Sequence, residues 1–256
     1  MTDTLLVLIA AALAGCVDAI AGVGGLVLVP AMFAAFPNAA PAALLGTNKG
    51  AAIWGTALAA WRYARRVELR WGALAPAIAC ALAGSAAGAY TLTHIDATML
   101  RVALPVVLLM VLVYTLAKKD LGHAHTPRYS GRREALVASA VGLALGFYDG
   151  LFGPGTGRFF VFLLVRLLGY DFLHASASAK LLNTATNAAA LTLFAATGHI
   201  WWALAAGMAV ANMLGSMLGT HLALSRGAAF VRTVFLWVVG ALILRTGWDA
   251  WRLLNA

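Results

Sequence analysis

Two glycine-rich segments interrupt long hydrophobic stretches of the 256-residue chain and recur 131 positions apart. Asp18 precedes the first segment and Asp149 the second, and Lys49 and Lys180 follow them at the same separation. Alanine and leucine matches are expected by chance in so apolar a sequence, but matches of aspartate and lysine are not. The separation therefore indicates an internal duplication, in which a broken hydrophobic segment occurs twice.

The composition is typical of a polytopic membrane protein. Hydrophobic residues make up 62% of the chain and charged residues only 11%, against roughly 25% charged residues in soluble domains. Apolar stretches near the roughly 20 residues that span a bilayer recur from end to end. The net charge of +9 comes mostly from arginines in short loops, which mark the cytoplasmic face and do not indicate a nucleic-acid partner. We predict an all-α integral membrane protein whose surroundings are the lipid bilayer.

The duplication predicts two pseudo-symmetric repeats of about four to five helical segments, each with a glycine-broken helix. We assign residues 1–117 to the first transmembrane repeat, 118–133 to a basic cytoplasmic linker and 134–256 to the second repeat. Helices are expected near 42–62, 71–92, 98–117, 174–197, 200–222 and 229–251. Inverted repeats are favoured over parallel ones by Arg166, Arg226 and Arg232, which inversion places inside, although Arg245 and Arg252 argue the other way.

The broken segments indicate a binding site, because backbone groups leave a membrane helix only where they line a cavity. A helix that restarts after such a break directs free N–H groups and the positive end of its dipole towards the cavity, which attracts anions. The alternative is that the glycines only allow a kink or close packing. The residues expected to contact an anion here are Gly22, Gly24, Gly25, Gly153, Gly155, Thr156 and Gly157.

Two of the four lysines, Lys49 and Lys180, fall inside predicted helices. An ionisable group within a span costs on the order of 2.5–3.5 kcal/mol on insertion scales, so these lysines are predicted to bind a small oxyanion. The alternative for Lys49 is snorkelling to the membrane interface. Neighbouring polar residues are expected to complete the substrate-binding site, with the hydroxyl groups beside the lysines as donors: Thr47, Asn48, Ser178, Asn183 and Asn187.

Asp18 and Asp149 each precede a break by four residues. Each is a proton-binding carboxylate, an ion-pair partner for a lysine, or a cap on a helix end. If a carboxylate has to be neutral before the lysine takes an anion, protonation and anion binding are linked, which would give proton coupling. Arg158 follows the second glycine segment, where its equivalent is Val27, and is either an asymmetric anion ligand or a loop anchor.

The sequence carries no pattern for a metal, a cofactor or an enzyme. Cys16 and Cys80 form no CxxC pair and are expected to be small apolar side chains. His123 and His125 lack further ligands at metal spacing. An intramembrane redox enzyme would need a nucleophile with a base, or a paired thiol or metal site, and none is apparent.

The segments Asp18 to Pro30 with Gly46-Thr47-Asn48-Lys49, and Gly146 to Gly157 with Ala179-Lys180-Leu181-Leu182-Asn183, resemble the sulfite exporter TauE/SafE family, also called the toluene sulfonate uptake permease family. The resemblance covers essentially the whole chain. It implies a multi-pass transporter in a bacterial inner membrane, driven by the proton gradient and acting on sulfite, sulfonates or sulfoacetate. This chain has Arg158 where the family pattern has a small residue.

These observations predict a secondary transporter of small anions, with protons as the coupling partner and the site between the two repeats. An anion channel is the alternative, since it could use the same lysines, and an intramembrane redox enzyme is a weaker one. The oligomeric state stays open, because the small-residue faces Gly84 to Gly88 and Gly215 to Gly219 can pack within a monomer.

Overall fold

The computed structural model describes residues 2–95 and 126–222, together with Val106, Leu109 and Met110. Regular structure in these residues is helical: α1 (Thr2–Ala21), α2 (Gly25–Ala35), α3 (Pro41–Ala64), α4 (Trp71–His94), α5 (Gly131–Leu151), α6 (Thr156–Leu163), a π-helical turn (Leu164–Leu168), α7 (Phe172–Ala196) and α8 (Trp202–Leu222). The helix expected at 98–117, apart from the three isolated positions, lies outside the described residues. So do the helix expected at 229–251, the arginines beyond 222 and residues 118–125 of the expected linker.

The helices confirm the all-α membrane architecture. Four of those described, α1, α4, α5 and α8, are long and apolar enough to cross a bilayer. The two other long helices carry the lysines predicted for the site, Lys49 on α3 and Lys180 on α7. Proline at the first turn starts α3, and the Asp171 side chain, which accepts from the His174 N–H at 2.7 Å, caps α7.

The helix boundaries repeat at the separation seen in the sequence. The starts of α2 and α6, of α3 and α7, and of α4 and α8 are each 131 positions apart. The repeated sequence therefore adopts repeated secondary structure. The division into domains at 117 and 134 and the inverted orientation of the two repeats stay predictions.

The last described helix of each repeat packs against the first helix of the other repeat. Two glycines on α4 and two on α8 allow this, because a Cβ at any of these four would collide with a backbone carbonyl of the facing helix. The facing pairs are Gly84 with Leu143, Gly88 with Phe147, Gly215 with Ala12, and Gly219 with Cys16. Adding 131 to the glycine's number and subtracting 131 from its partner's number converts the first two pairs into the last two. The small-residue faces therefore pack within the monomer.

Two serine hydrogen bonds follow the same rule. Ser85 Oγ on α4 donates to the Thr186 carbonyl on α7 at 2.6 Å, and Ser216 Oγ on α8 donates to the Gly55 carbonyl on α3 at 2.9 Å. Such reciprocal contacts are expected for two repeats related by a two-fold axis, because residue i of one repeat then contacts residue j of the other, and j of the first contacts i of the second. The long helices α3 and α7, one from each half, also pack against each other.

Gly84→Ala is expected to destabilise the protein, because its methyl group would overlap the Leu143 carbonyl. Overpacking of this kind costs about 1–3 kcal/mol, or roughly 2–12 °C in the thermal midpoint of a chain of this size. Gly72→Ala on the same helix is the matched control, since nothing lies within 4 Å of its added Cβ. Thermal unfolding in detergent measures both variants. Equal midpoints would show that α4 and α5 are not in close contact.

Candidate functional site

Left-handed glycines produce the two helix breaks. Gly22 has φ 72° directly after α1, and Gly153 and Gly155 have φ 88° and 79° between α5 and α6. A side chain would be strained at these angles, which glycine adopts at little cost. The predicted interruptions of both hydrophobic segments are confirmed.

The two breaks cross in the interior of the protein. The Arg158 N–H at the start of α6 donates to the Gly22 carbonyl at 3.2 Å. A Cβ on Gly25 would lie 3.0 Å from Pro154 Cα, and one on Gly157 would lie 3.0 Å from the Gly22 oxygen. Glycine is therefore needed here for close approach of two backbones as well as for the turn. The crossing brings the start of α2 and the start of α6 to one place.

Each buried lysine is paired with the aspartate of the other repeat. Lys49 Nζ on α3 lies 2.6 Å from Asp149 Oδ2 at the end of α5. Lys180 Nζ on α7 lies 2.8 Å from Asp18 Oδ2 near the end of α1 and also donates to the Asp18 backbone carbonyl. Lys180 is the equivalent of Lys49 and Asp18 is the equivalent of Asp149, so the two pairs are equivalent contacts of the two repeats. We refer to the two as the crossed ion pairs.

The crossed ion pairs show one of the roles that the sequence left open for the aspartates, and the proton-binding role stays a prediction. Lys49 is only 3% exposed and Lys180 only 5%, so Lys49 does not snorkel to the interface. Both aspartates are ion-pair partners. Asp18 Oδ1 also accepts from the Gly24 N–H at 3.2 Å, which ties this carboxylate to the helix break. Each lysine is neutralised by a carboxylate, as a buried charge requires.

A central cavity of about 40 Å³ lies at the crossing, lined by residues of both halves. Its wall contains the Lys49–Asp149 pair and Asp18. Thr56 and Asn187, which are equivalent residues of the two repeats, meet in the wall, where Asn187 Nδ2 lies 3.4 Å from Thr56 Oγ1. Residues that contact their own equivalents lie on a two-fold axis. The pseudo-symmetry axis therefore passes beside the cavity.

Most of the residues predicted to bind substrate line this cavity. Besides Lys49 they are Gly22, Gly24, Gly25, Asn48, Gly153, Gly155, Thr156, Gly157, Asn183 and Asn187, and the two aspartates predicted for proton coupling line it as well. Asn48 and Asn183 are buried, and among the described residues neither side chain has a hydrogen-bond partner. Buried amides are seldom left unsatisfied without a ligand or water to bind. Their placement makes them available to a molecule in the cavity.

Two predicted donors lie elsewhere. The Thr47 hydroxyl donates to the Ala43 carbonyl of its own helix at 2.7 Å and accepts from the Trp201 N–H at 3.0 Å, so it connects α3 to the start of α8. Ser178 is buried but does not line the central cavity. The expectation that these hydroxyls sit beside an anion at the lysines therefore needs correction. Both are close to a lysine in sequence but on another side of the helix.

Arg158 and Lys180 line a second, smaller space of about 20 Å³, called here the outer chamber. Gly22 and Gly157 line both spaces, so the backbone crossing separates them. Lys180 contacts the outer chamber while its partner Asp18 contacts the central cavity. This ion pair consequently joins the two spaces.

Thr56 and Asn212 line the central cavity but were absent from the predicted site. The duplication could have indicated Thr56, because it is the equivalent of Asn187. Asn212 has no such signal, since its equivalent is Ala81. Its Nδ2 donates to the Ala11 carbonyl at 3.1 Å. Within residues 2–95 and 126–222, no three His, Cys, Asp or Glu side chains are grouped to hold a metal ion.

Comparison with known proteins identifies the family. The profile described as "Sulfite exporter TauE/SafE" matches residues 7–246. The chain belongs to the sulfite exporter TauE/SafE family. Among its relatives, "Probable membrane transporter protein YfcA" of Escherichia coli K12 is 36% identical over 241 residues, 94% of this chain and 88% of YfcA. "Probable membrane transporter protein ORF9" of Sinorhizobium sp is 33% identical over 237 residues, 93% of this chain and 89% of ORF9.

A third relative, a "Probable membrane transporter protein" of Haemophilus influenzae, is 33% identical over 223 residues, 86% of this chain and 84% of the relative. No solved structure matches the chain significantly. The family and these relatives are membrane transporters, so this TauE/SafE protein is a multi-pass bacterial membrane transporter. The alternative of an intramembrane redox enzyme is wrong.

The Lys49–Asp149 pair is expected to show strong energetic coupling in this TauE/SafE transporter. Lys49→Met and Asp149→Asn should each destabilise by about 3–5 kcal/mol, because each leaves a buried group without its partner. The double variant should lose less than the sum, by about 1–3 kcal/mol. Thermal unfolding in detergent, with the midpoint shifts converted to free energy, measures the coupling.

Lys49→Met combined with Asp18→Asn is the matched control, because Asp18 is paired with Lys180. Its coupling should be smaller than that of the cognate pair. If the two double variants gave the same coupling energy, the crossed pairing would be incorrect.

Proposed function

We propose that this transporter carries small oxyanions, of the class of sulfite or a short organosulfonate, together with protons, and binds them in the central cavity between its two halves. The observation that carries the proposal is the pair of buried lysines, each held by an aspartate of the other half at a helix break. Such charges are costly within a membrane protein and are retained for function.

The groups around the cavity favour an anion. The ammonium of Lys49 and the amides of Asn48 and Asn183 are donors in its wall. The restarted helices α2 and α6 add the positive ends of their dipoles, since Gly24, Gly25 and Thr156 line the same space. A sulfonate or sulfite group offers three oxygens to such a set of donors. The sulfur in the proposal comes from the family description.

The size of the cavity favours a small substrate. One water needs roughly 10–15 Å³ of such space, so about 40 Å³ holds around three waters. An anion of four or five heavy atoms is of this size. A bulky aromatic sulfonate would require the two halves to separate further.

Coupling to protons follows from competition for the lysines. In the paired state the carboxylate of Asp149 already occupies the Lys49 ammonium at 2.6 Å. An arriving anion would meet a like charge only a few ångströms away, which is strongly unfavourable at low dielectric. A proton on the carboxylate removes this competitor and leaves the ammonium for the anion. Protonation and anion binding then strengthen each other equally, as linkage requires.

Alternating access would use the same contacts. The crossed ion pairs connect α3 and α7 to α5 and α1, which belong to opposite repeats. Rocking of one repeat against the other around the central cavity would expose it to one side at a time. An anion channel with the same lysines is the competing function. A channel could not accumulate its ion above the equilibrium level.

In proteoliposomes with an acidic outside, we expect uptake of radiolabelled sulfite or a small sulfonate above its equilibrium level. Lys49→Ala and Lys180→Ala should each abolish this uptake, because the first removes the anion-binding charge of the central cavity and the second leaves Asp18 without its counter-charge. Arg66→Ala, which removes a positive charge from an exposed position, is the control and should transport like the wild type. Wild-type uptake in both lysine variants would overturn the site.

Asp149→Asn separates coupling from binding in the same assay. The amide mimics a protonated carboxylate, so anion exchange between the two sides should persist while accumulation driven by the pH gradient is lost. Flux that never exceeds equilibrium in the wild type would instead identify a channel.

A further inference from the structure

The outer chamber carries polar groups that the central cavity does not explain. Tyr63 and Ser176 line it together with Arg158 and Lys180. Tyr63 is 8% exposed and Ser176 is 6% exposed, yet neither hydroxyl has a hydrogen-bond partner among the described residues. Burying a hydroxyl without a hydrogen-bond partner is unfavourable. Two such hydroxyls facing one space beside two cations indicate a ligand that accepts hydrogen bonds.

The equivalent positions of the other half are filled with apolar side chains. Adding or subtracting 131 converts Tyr63 to Phe194, Ser176 to Leu45, and Arg158 to Val27. Phe194 and Leu45 belong to one buried hydrophobic cluster, against which Leu151, the equivalent of Ile20, also packs. Phe194 is fully buried. The same backbone arrangement is therefore polar and hollow on the Lys180 side but apolar and filled on the Lys49 side.

We propose that the outer chamber is a second contact point for the transported anion on its route to the central cavity. Its space of about 20 Å³ holds one or two waters, so the chamber has to widen when the anion enters. Leu45 and Phe194 form the closed gate at the pseudo-equivalent position. This inference rests on the proposed anion transport and adds to it the residues on the route. The substrate class is the same, a small oxyanion.

The contacts explain how an anion would pass. Phe172, which lines the chamber, is exposed at the protein surface. Arg158 and Lys180 bring two cationic side chains to the chamber, of which Lys180 is paired with Asp18, and Tyr63 and Ser176 supply neutral donors. Lys180 is also a member of a crossed ion pair whose aspartate lines the central cavity. An anion bound by Lys180 in the chamber is consequently next to the protonatable group of the inner site.

Cysteine accessibility tests the inference on the full chain. Ser176→Cys and its equivalent Leu45→Cys are placed in a background in which Cys16 and Cys80 are replaced by alanine. Each protein is treated in detergent with methanethiosulfonate reagents that are matched in size, one bearing a sulfonate and one a quaternary ammonium. We expect Ser176→Cys to react at least about tenfold faster than Leu45→Cys with the sulfonate reagent.

The charge of the chamber is measured by the ratio of the two rates at Ser176→Cys. The sulfonate reagent should be favoured by about tenfold or more, as expected where a charged cleft focuses its field. Arg158→Val, which introduces the residue found at the equivalent position, should reduce this ratio several-fold. If either serine or leucine variant fails to fold, Tyr63→Cys and Phe194→Cys provide a second matched pair with the same expectation.

Equal reaction rates at the two equivalent positions would contradict the open route and closed gate. A charge ratio unchanged by Arg158→Val would contradict the anion site. Neither measurement uses the transported substrate. Both expected results could be obtained while uptake of sulfite and sulfonates fails. In that case the proposed substrate would be wrong, but the assignment of the outer chamber as the open, anion-accessible side would be supported.

Discussion

The crossed ion pairs are the constraint on which the rest of this structure depends. A lysine inside a membrane protein needs a counter-charge, and here the counter-charge always comes from the other repeat. Neither half can therefore bury its lysine alone. The requirement explains why the helix breaks, the lysines and the aspartates converge on a single place between the halves, where a small polar cavity remains.

The duplication produces a symmetric framework with unequal contents. Glycines let α4 lie against α5 and α8 lie against α1 in the same way, and the serine hydrogen bonds of α4 and α8 repeat this relationship. The side chains around the two lysines differ, with Tyr63 on one side and Phe194 on the other. In the alternating access that we propose, a symmetric framework would allow two equivalent conformations, and the unequal side chains would make the path on the Lys180 side more polar than the path on the Lys49 side.

Several features could be predicted from sequence because they are properties of single residues or of spacing. The glycine breaks follow from the missing Cβ, and the buried lysines follow from their rarity within apolar helices. The crossed pairing could not be predicted, because the 131-residue separation identifies equivalent residues and not contacting ones. The side of α3 to which each polar residue points was also hidden, because Thr47, Asn48 and Lys49 are consecutive and so face different directions. Thr47 was misplaced for this reason, since its hydroxyl contacts Ala43 and Trp201.

Proton uptake during anion binding tests the central claim most directly. The purified transporter is titrated with methanesulfonate or sulfite in weakly buffered detergent solution at a pH where the anion itself does not change its charge, and the pH is followed. Anion binding should remove about one proton from solution per ion-pair lysine engaged, and Asp149→Asn should reduce this uptake while binding persists. Saturable anion binding with no proton uptake by the wild type would show that the lysines accept the anion without releasing their aspartates, contrary to this account.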